Sequence, residues 1–266
     1  MNLLAPLVTV LLGLFSGMLV NYLADILPVR RRFAPPICLN CGQRFALANY
    51  LFWPRRCEHC HQRRTRRMWV VEILGAVLAL WLVYAPEANQ RLGILLGSVV
   101  LIYFAMIVVI DYEHRLILHP TSWFGVLLGL VVGIKLNGVS ATLLGGAVGY
   151  GVMYVLYYLG ALFTKLMARL QGRTIDEVAL GFGDVNLTGV LGLMVGWPLM
   201  LVALFLSVLT AGLMGGLLLL SKMVSRKYRS FMVAMPYGPF LILGAFLMLF
   251  LPMFTQELLS RLSPIF

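Results

Sequence analysis

Apolar residues in this chain gather in long runs separated by short polar breaks. Eight runs are readable, at 4–27, 69–85, 92–111, 121–136, 139–164, 184–198, 199–221 and 237–254. Most approach the roughly 17–25 residues that a helix needs to cross the hydrocarbon of a bilayer. The fourth and sixth are short, and only Gly196-Trp197-Pro198 separates the sixth from the seventh. The pattern predicts an all-α, polytopic membrane protein with about eight transmembrane helices. A polar block at 29–68 interrupts it. Three segments follow: a first helix at 1–28, a polar module at 29–68 and a membrane domain at 69–266. The first run has no basic flank and is too long for the apolar core of a secretory signal, so it reads as a retained span.

Composition agrees with the pattern. The chain is 61% hydrophobic and 12% charged, with a mean hydropathy of +0.92; soluble domains carry about 25% charged residues. Its 21 Lys and Arg against 10 Asp and Glu give a net charge of +11. Their distribution points to a bilayer partner rather than nucleic acid. Ten arginines lie in 29–68, and eight further basic residues fall on the same side of the eight-span topology. Arg91, Lys135 and Arg261 fall on the other. Basic loops stay in the cytoplasm, so 29–68 is expected there, in the inner membrane of a bacterium, with both termini outside.

All four cysteines lie in the polar module, as Cys38-Leu39-Asn40-Cys41 and Cys57-Glu58-His59-Cys60. Two such knuckles 15 residues apart read as a tetrahedral zinc site. A pair of disulfides is the alternative, disfavoured where thiols are kept reduced. His59 and His61 are reserve ligands. Four protein ligands leave no open position, so the metal is structural. A segment of about 40 Arg-rich residues could not bury a core without such a staple.

Of the ten acidic residues, Asp111 and Asp184 stand apart, at the ends of apolar runs on the same membrane face. Carboxylates at membrane depth are costly and are seldom kept without a task. Two that share one proton can activate water for peptide hydrolysis. Asp184 follows Gly181-Phe182-Gly183, and the two glycines leave room for a peptide backbone beside it. The bland alternative is pairing with a base such as Arg115. Asp25 and Glu72 read as partners of Arg30–Arg32 or of the arginines at 63–67, and Glu177 as a solvated loop residue. The run Gly145-Gly146-Ala147-Val148-Gly149-Tyr150-Gly151 reads as a helix-packing surface. Nucleophile-elbow and phosphate-loop motifs are missing. Other classes are a transporter or proton channel using the same carboxylates, and a binding or assembly factor.

Taken together, these motifs make the chain resemble the type IV prepilin peptidases, membrane-embedded aspartic proteases of the Gly-x-Gly-Asp class. The resemblance runs from Ser16-Gly17 to Asn21 and Leu27-Pro28, through both cysteine pairs, to Val71-Glu72. It continues at Ile110-Asp111, Gly181-Phe182-Gly183-Asp184 and Pro236-Tyr237-Gly238-Pro239-Phe240. It implies removal of the short basic leader of type IV prepilins and type II secretion pseudopilins, after a Gly, at the cytoplasmic face. It also implies that Asp111 and Asp184 are the catalytic pair. Many bacterial members of the family also N-methylate the new amino terminus from S-adenosylmethionine.

Overall fold

The computed structural model describes residues 4–38, 40–52, 55–171, 181–224 and 236–251, with 253, 256, 257 and 260 beyond them. Glu177 lies outside these residues. The chain divides into two compact units, 1–110 and 111–266. Nine helices form among the described residues: α1 Leu4–Arg30, α2 Leu47–Leu51, α3 Arg67–Tyr84, α4 Pro86–Leu92, α5 Ile94–His114, α6 His119–Gln171, α7 Phe182–Val195, α8 Leu199–Val224 and α9 Gly238–Phe250. The helical class and the multi-pass membrane character expected from sequence are therefore present.

Among the described residues, five helices (α1, α3, α5, α6 and α8) are long and apolar enough to cross a membrane. The sequence pattern counts eight runs because α6 carries two, and because α7 and α9 are shorter apolar helices of 14 and 13 residues. The two runs of α6 meet at Gly138, whose backbone (φ 80°, ψ 169°) is closed to side-chain-bearing residues.

In the first unit, α1 packs on α3 through glycine. A Cβ on Gly17 would lie 2.5 Å from Glu72 Cα, and one on Gly13 would lie 2.6 Å from Ala76 Cα. Such backbone contact suits membrane helices, where association relies on close packing rather than on expulsion of water. Asn21 sits on the same stripe one turn on, and its amide donates to Met68 O at 3.2 Å.

In the second unit α7 is the central helix, packed by α6 and α9. Val185, Leu187, Val190, Leu191, Met194 and Val195 on it are all buried. The glycine run of α6 lies against it: Gly146 faces Leu193, and Gly149 faces Thr188 O. Gly145, Gly146 and Gly149 perform the packing role expected of that run, while Gly151 faces open space. Gly196 (φ 76°) ends α7. Asn137 then donates to Val195 O at 3.1 Å, occupying a carbonyl that the helix leaves open.

Candidate active site and metal centre

The cysteine module, in the first unit, repeats one local geometry. In the first knuckle Cys38 N–H donates to Gln43 O, and Gly42 N–H to Cys38 O; in the second, Cys57 N–H donates to Gln62 O, and His61 N–H to Cys57 O. Gly42 (φ 72°) and His61 (φ 52°) occupy the same left-handed position of the two turns. Each turn thus folds its cysteines toward one point. The four Sγ atoms lie within 4.8 Å of one another, with Cys38 to Cys60 at 3.5 Å and Cys41 to Cys57 at 3.6 Å. All four are free thiols, so the disulfide alternative does not hold. The backbone amide of Gln62 holds the Cys60 thiol down to about 6, favouring the thiolate that a metal needs. The cluster fits a soft, tetrahedrally bound metal ion.

Small side chains and metal ligands alone do not hold the module to its helices. Asp25, near the end of α1, pairs with Arg64 and Arg67 and accepts a hydrogen bond from the Tyr50 hydroxyl. Burial, with the Asp25 charge, pushes the Tyr50 phenol above its ordinary value, so Tyr50 remains a donor. Of the partners weighed from sequence for Asp25, the 63–67 group is the one engaged. Glu72 takes a different partner: Arg55, two residues before Cys57, pairs with it at 2.9 Å and lies over the Trp69 ring at 4.4 Å. Sequence gave no cue to that pair, because nothing in local spacing links 55 to 72.

The two singled-out aspartates both belong to the second unit. Asp111 is in the last turn of α5 and is buried; Asp184 is in the first turn of α7 and is half-buried. They lie within electrostatic reach of each other. Asp184 suits its place, since the positive end of a helix favours a carboxylate. Gly181, in extended backbone, is the N-cap, and a Cβ there would lie 3.3 Å from Asp184 Oδ2. Gly183 is fixed by a neighbour, because a Cβ on it would lie 2.9 Å from Ile117 Cβ. Of the two glycines, Gly181 borders the carboxylate and Gly183 makes room for Ile117.

Asp111 is placed less favourably by its own helix, whose carboxyl end is negative. The start of α9 offsets this: Gly238 N–H donates to Asp111 Oδ2 at 2.9 Å. Arg115 lies within electrostatic reach of Asp111, yet among the described residues it forms no salt bridge with it. Gly238 is a site residue that residue-by-residue reading missed. The signal available was the Pro236–Phe240 motif, but no spacing rule ties it to position 111.

A cavity of about 410 Å³ opens between α6 and α7, lined by His119, Trp123, Tyr150, Phe182, Asn186 and Leu193 among others. Its lining positions on α7 share one helix face, and Asp184 lies on the other side of that helix. The cavity and the carboxylate pair are separate features.

Fold and site define a helical, multi-pass membrane protein with paired carboxylates and a four-thiol module. The profile of the Type IV leader peptidase family matches residues 95–216. The Prepilin leader peptidase/N-methyltransferase of Aeromonas hydrophila is 28% identical over 225 residues, covering 80% of this chain and 70% of that protein. The protein of the same name from Pseudomonas putida is 27% identical over 219 residues, covering 79% and 69%. No solved structure matches. The resemblance drawn from the motifs is borne out.

Proposed function

We propose that this protein is an aspartic endopeptidase that cuts the short basic leader from type IV prepilins and type II secretion pseudopilins after a Gly. Asp111 and Asp184 are its catalytic pair. The observation that carries the reading is that two carboxylates 73 positions apart (184 − 111) stand at the carboxyl end of α5 and the amino end of α7 within electrostatic reach of each other. The family and the relatives' names supply the reaction class.

Chemically, one ionised carboxylate takes a proton from water, and the hydroxide formed attacks the scissile carbonyl carbon. The protonated partner faces the carbonyl oxygen and later gives its proton to the leaving amine. The pair titrates as a unit. The substrate helix must unwind at the cut, because helical carbonyls are already engaged.

Around this centre, the basic residues place the polar module and the carboxylates at the cytoplasmic face of a bacterial inner membrane, in an eight-span topology. The four cysteines hold zinc, which supplies folding energy to the module and no step of the cut. The relatives' names include an N-methyltransferase activity; the family resemblance makes the new amino terminus its acceptor and S-adenosylmethionine its donor. The transporter alternative expects carboxylates spread through the membrane depth; this pair sits at helix ends.

Co-expression with a tagged prepilin, read by intact mass, tests the proposal. Wild type should remove the leader, while Asp111→Asn and Asp184→Asn, inserted normally, should not. A product heavier by one methylene would report methylation. Normal cleavage by either variant would falsify the catalytic pair.

A further inference from the structure

The Pro236–Pro239 segment contributes more to the carboxylate centre than one amide. Gly238 N–H binds Asp111 Oδ2, and a Cβ at Gly238 would lie 2.6 Å from that same oxygen. The start of α9 is therefore fixed against Asp111 with no slack. The residue immediately before it, Tyr237, is the N-cap of α9, with backbone angles φ −87° and ψ −26°. Its phenol is half-buried and lies within electrostatic reach of Asp184. Two consecutive residues thus lie at the carboxylate centre, Gly238 bonded to Asp111 and Tyr237 within electrostatic reach of Asp184. Among the described residues, no hydrogen bond occupies the Tyr237 hydroxyl. A phenol has one donor to give.

What would take that hydrogen bond is set by the reaction, so the inference rests on the peptidase reading above. Attack of water on the scissile carbonyl places negative charge on its oxygen. The proton on the acidic partner of the pair meets one lone pair of that oxygen. A second donor is needed for the other, as in oxyanion-stabilising sites elsewhere. We infer that Tyr237 is a substrate-contacting catalytic residue whose hydroxyl donates to the scissile carbonyl oxygen beside Asp184. No covalent step passes through it, and its proton stays on the phenol throughout. The contact strengthens as charge develops on the oxygen, so its loss falls on turnover rather than on substrate binding.

The test is leader removal by the full-length protein in detergent or vesicles, with a synthetic prepilin, for wild type, Tyr237→Phe, Tyr237→His and Tyr154→Phe. Tyr237→Phe deletes one oxygen and keeps the ring. Its kcat should fall about 10²-fold, with KM within a factor of about two and metal content and melting temperature unchanged. Tyr237→His, which restores a donor, should recover part of the lost rate. Tyr154→Phe, on the exposed flank of α6, should match wild type. Wild-type kcat in Tyr237→Phe overturns the inference and leaves the peptidase reading standing. Equal rate losses in the Phe and His variants also overturn it, since packing alone would then explain them. No cleavage by wild type of any of several prepilins overturns both.

Discussion

Gly238 and Asp111 are 127 positions apart in sequence, yet the amide of one holds the carboxylate of the other at 2.9 Å. The bond joins the carboxyl end of α5 to the amino end of α9. It gives Asp111 a fixed orientation without using a side chain. Room at that point is the reason for glycine, since the Gly238 backbone is itself helical.

Gly238→Ala should therefore slow leader removal about 10²-fold, because the added methyl displaces the Asp111 carboxylate by a sizeable fraction of an ångström. Gly151→Ala is the matched control: nothing lies within 4 Å of a Cβ there. It should leave activity unchanged and raise stability by about 0.5–1 kcal/mol. Initial rates with a synthetic prepilin, alongside thermal melts, check both; equal activity in the two variants would contradict the packing argument.

Breaking the Arg55–Glu72 pair should be costly. Arg55→Met leaves Glu72 buried and unpaired, and the expected loss is about 3–5 kcal/mol. Replacing both partners, as Arg55→Met with Glu72→Leu, should restore much of that loss. Detergent melts of the two single variants and the double variant form the cycle that reads it; additive losses would mean that the pair is uncoupled.

Metal removal should unfold the cysteine module. The purified protein is expected to carry about one metal ion per chain, and Cys57→Ser to lose most of it. Elemental analysis gives the stoichiometry. Limited proteolysis before and after chelation should show new cleavage within 29–68. A metal-free preparation with the same cleavage pattern as the native one would rule out a structural metal.

The glycine seam between α1 and α3 should tolerate little. Gly17→Val places side-chain carbons on the Glu72 backbone and should prevent close contact of the two helices. Cysteine pairs introduced across the seam at exposed flanking positions would cross-link in the parent and not in this variant. Cross-linking at the parent rate would show that the seam is looser than its geometry implies.

The sequence by itself determined the class of fold, the clustering of the four cysteines and which two aspartates stand out as candidates. Long apolar runs must be helices in a bilayer, where every backbone group needs an internal partner. Two Cys-x2-Cys turns close locally, so their spacing alone predicts convergence. Asp111 and Asp184 stood out because a carboxylate ending an apolar run is expensive. Tertiary structure decided the remainder. Glu72 could have paired with several arginines near it in sequence, and the α3 packing delivered Arg55 instead. The amide that holds Asp111 comes from Gly238, and no periodicity connects a helix end to the start of another helix 127 positions later. Local patterns report which groups must be buried or satisfied. Which distant group satisfies them depends on how the helices cross, and that is settled only when their surfaces pack together.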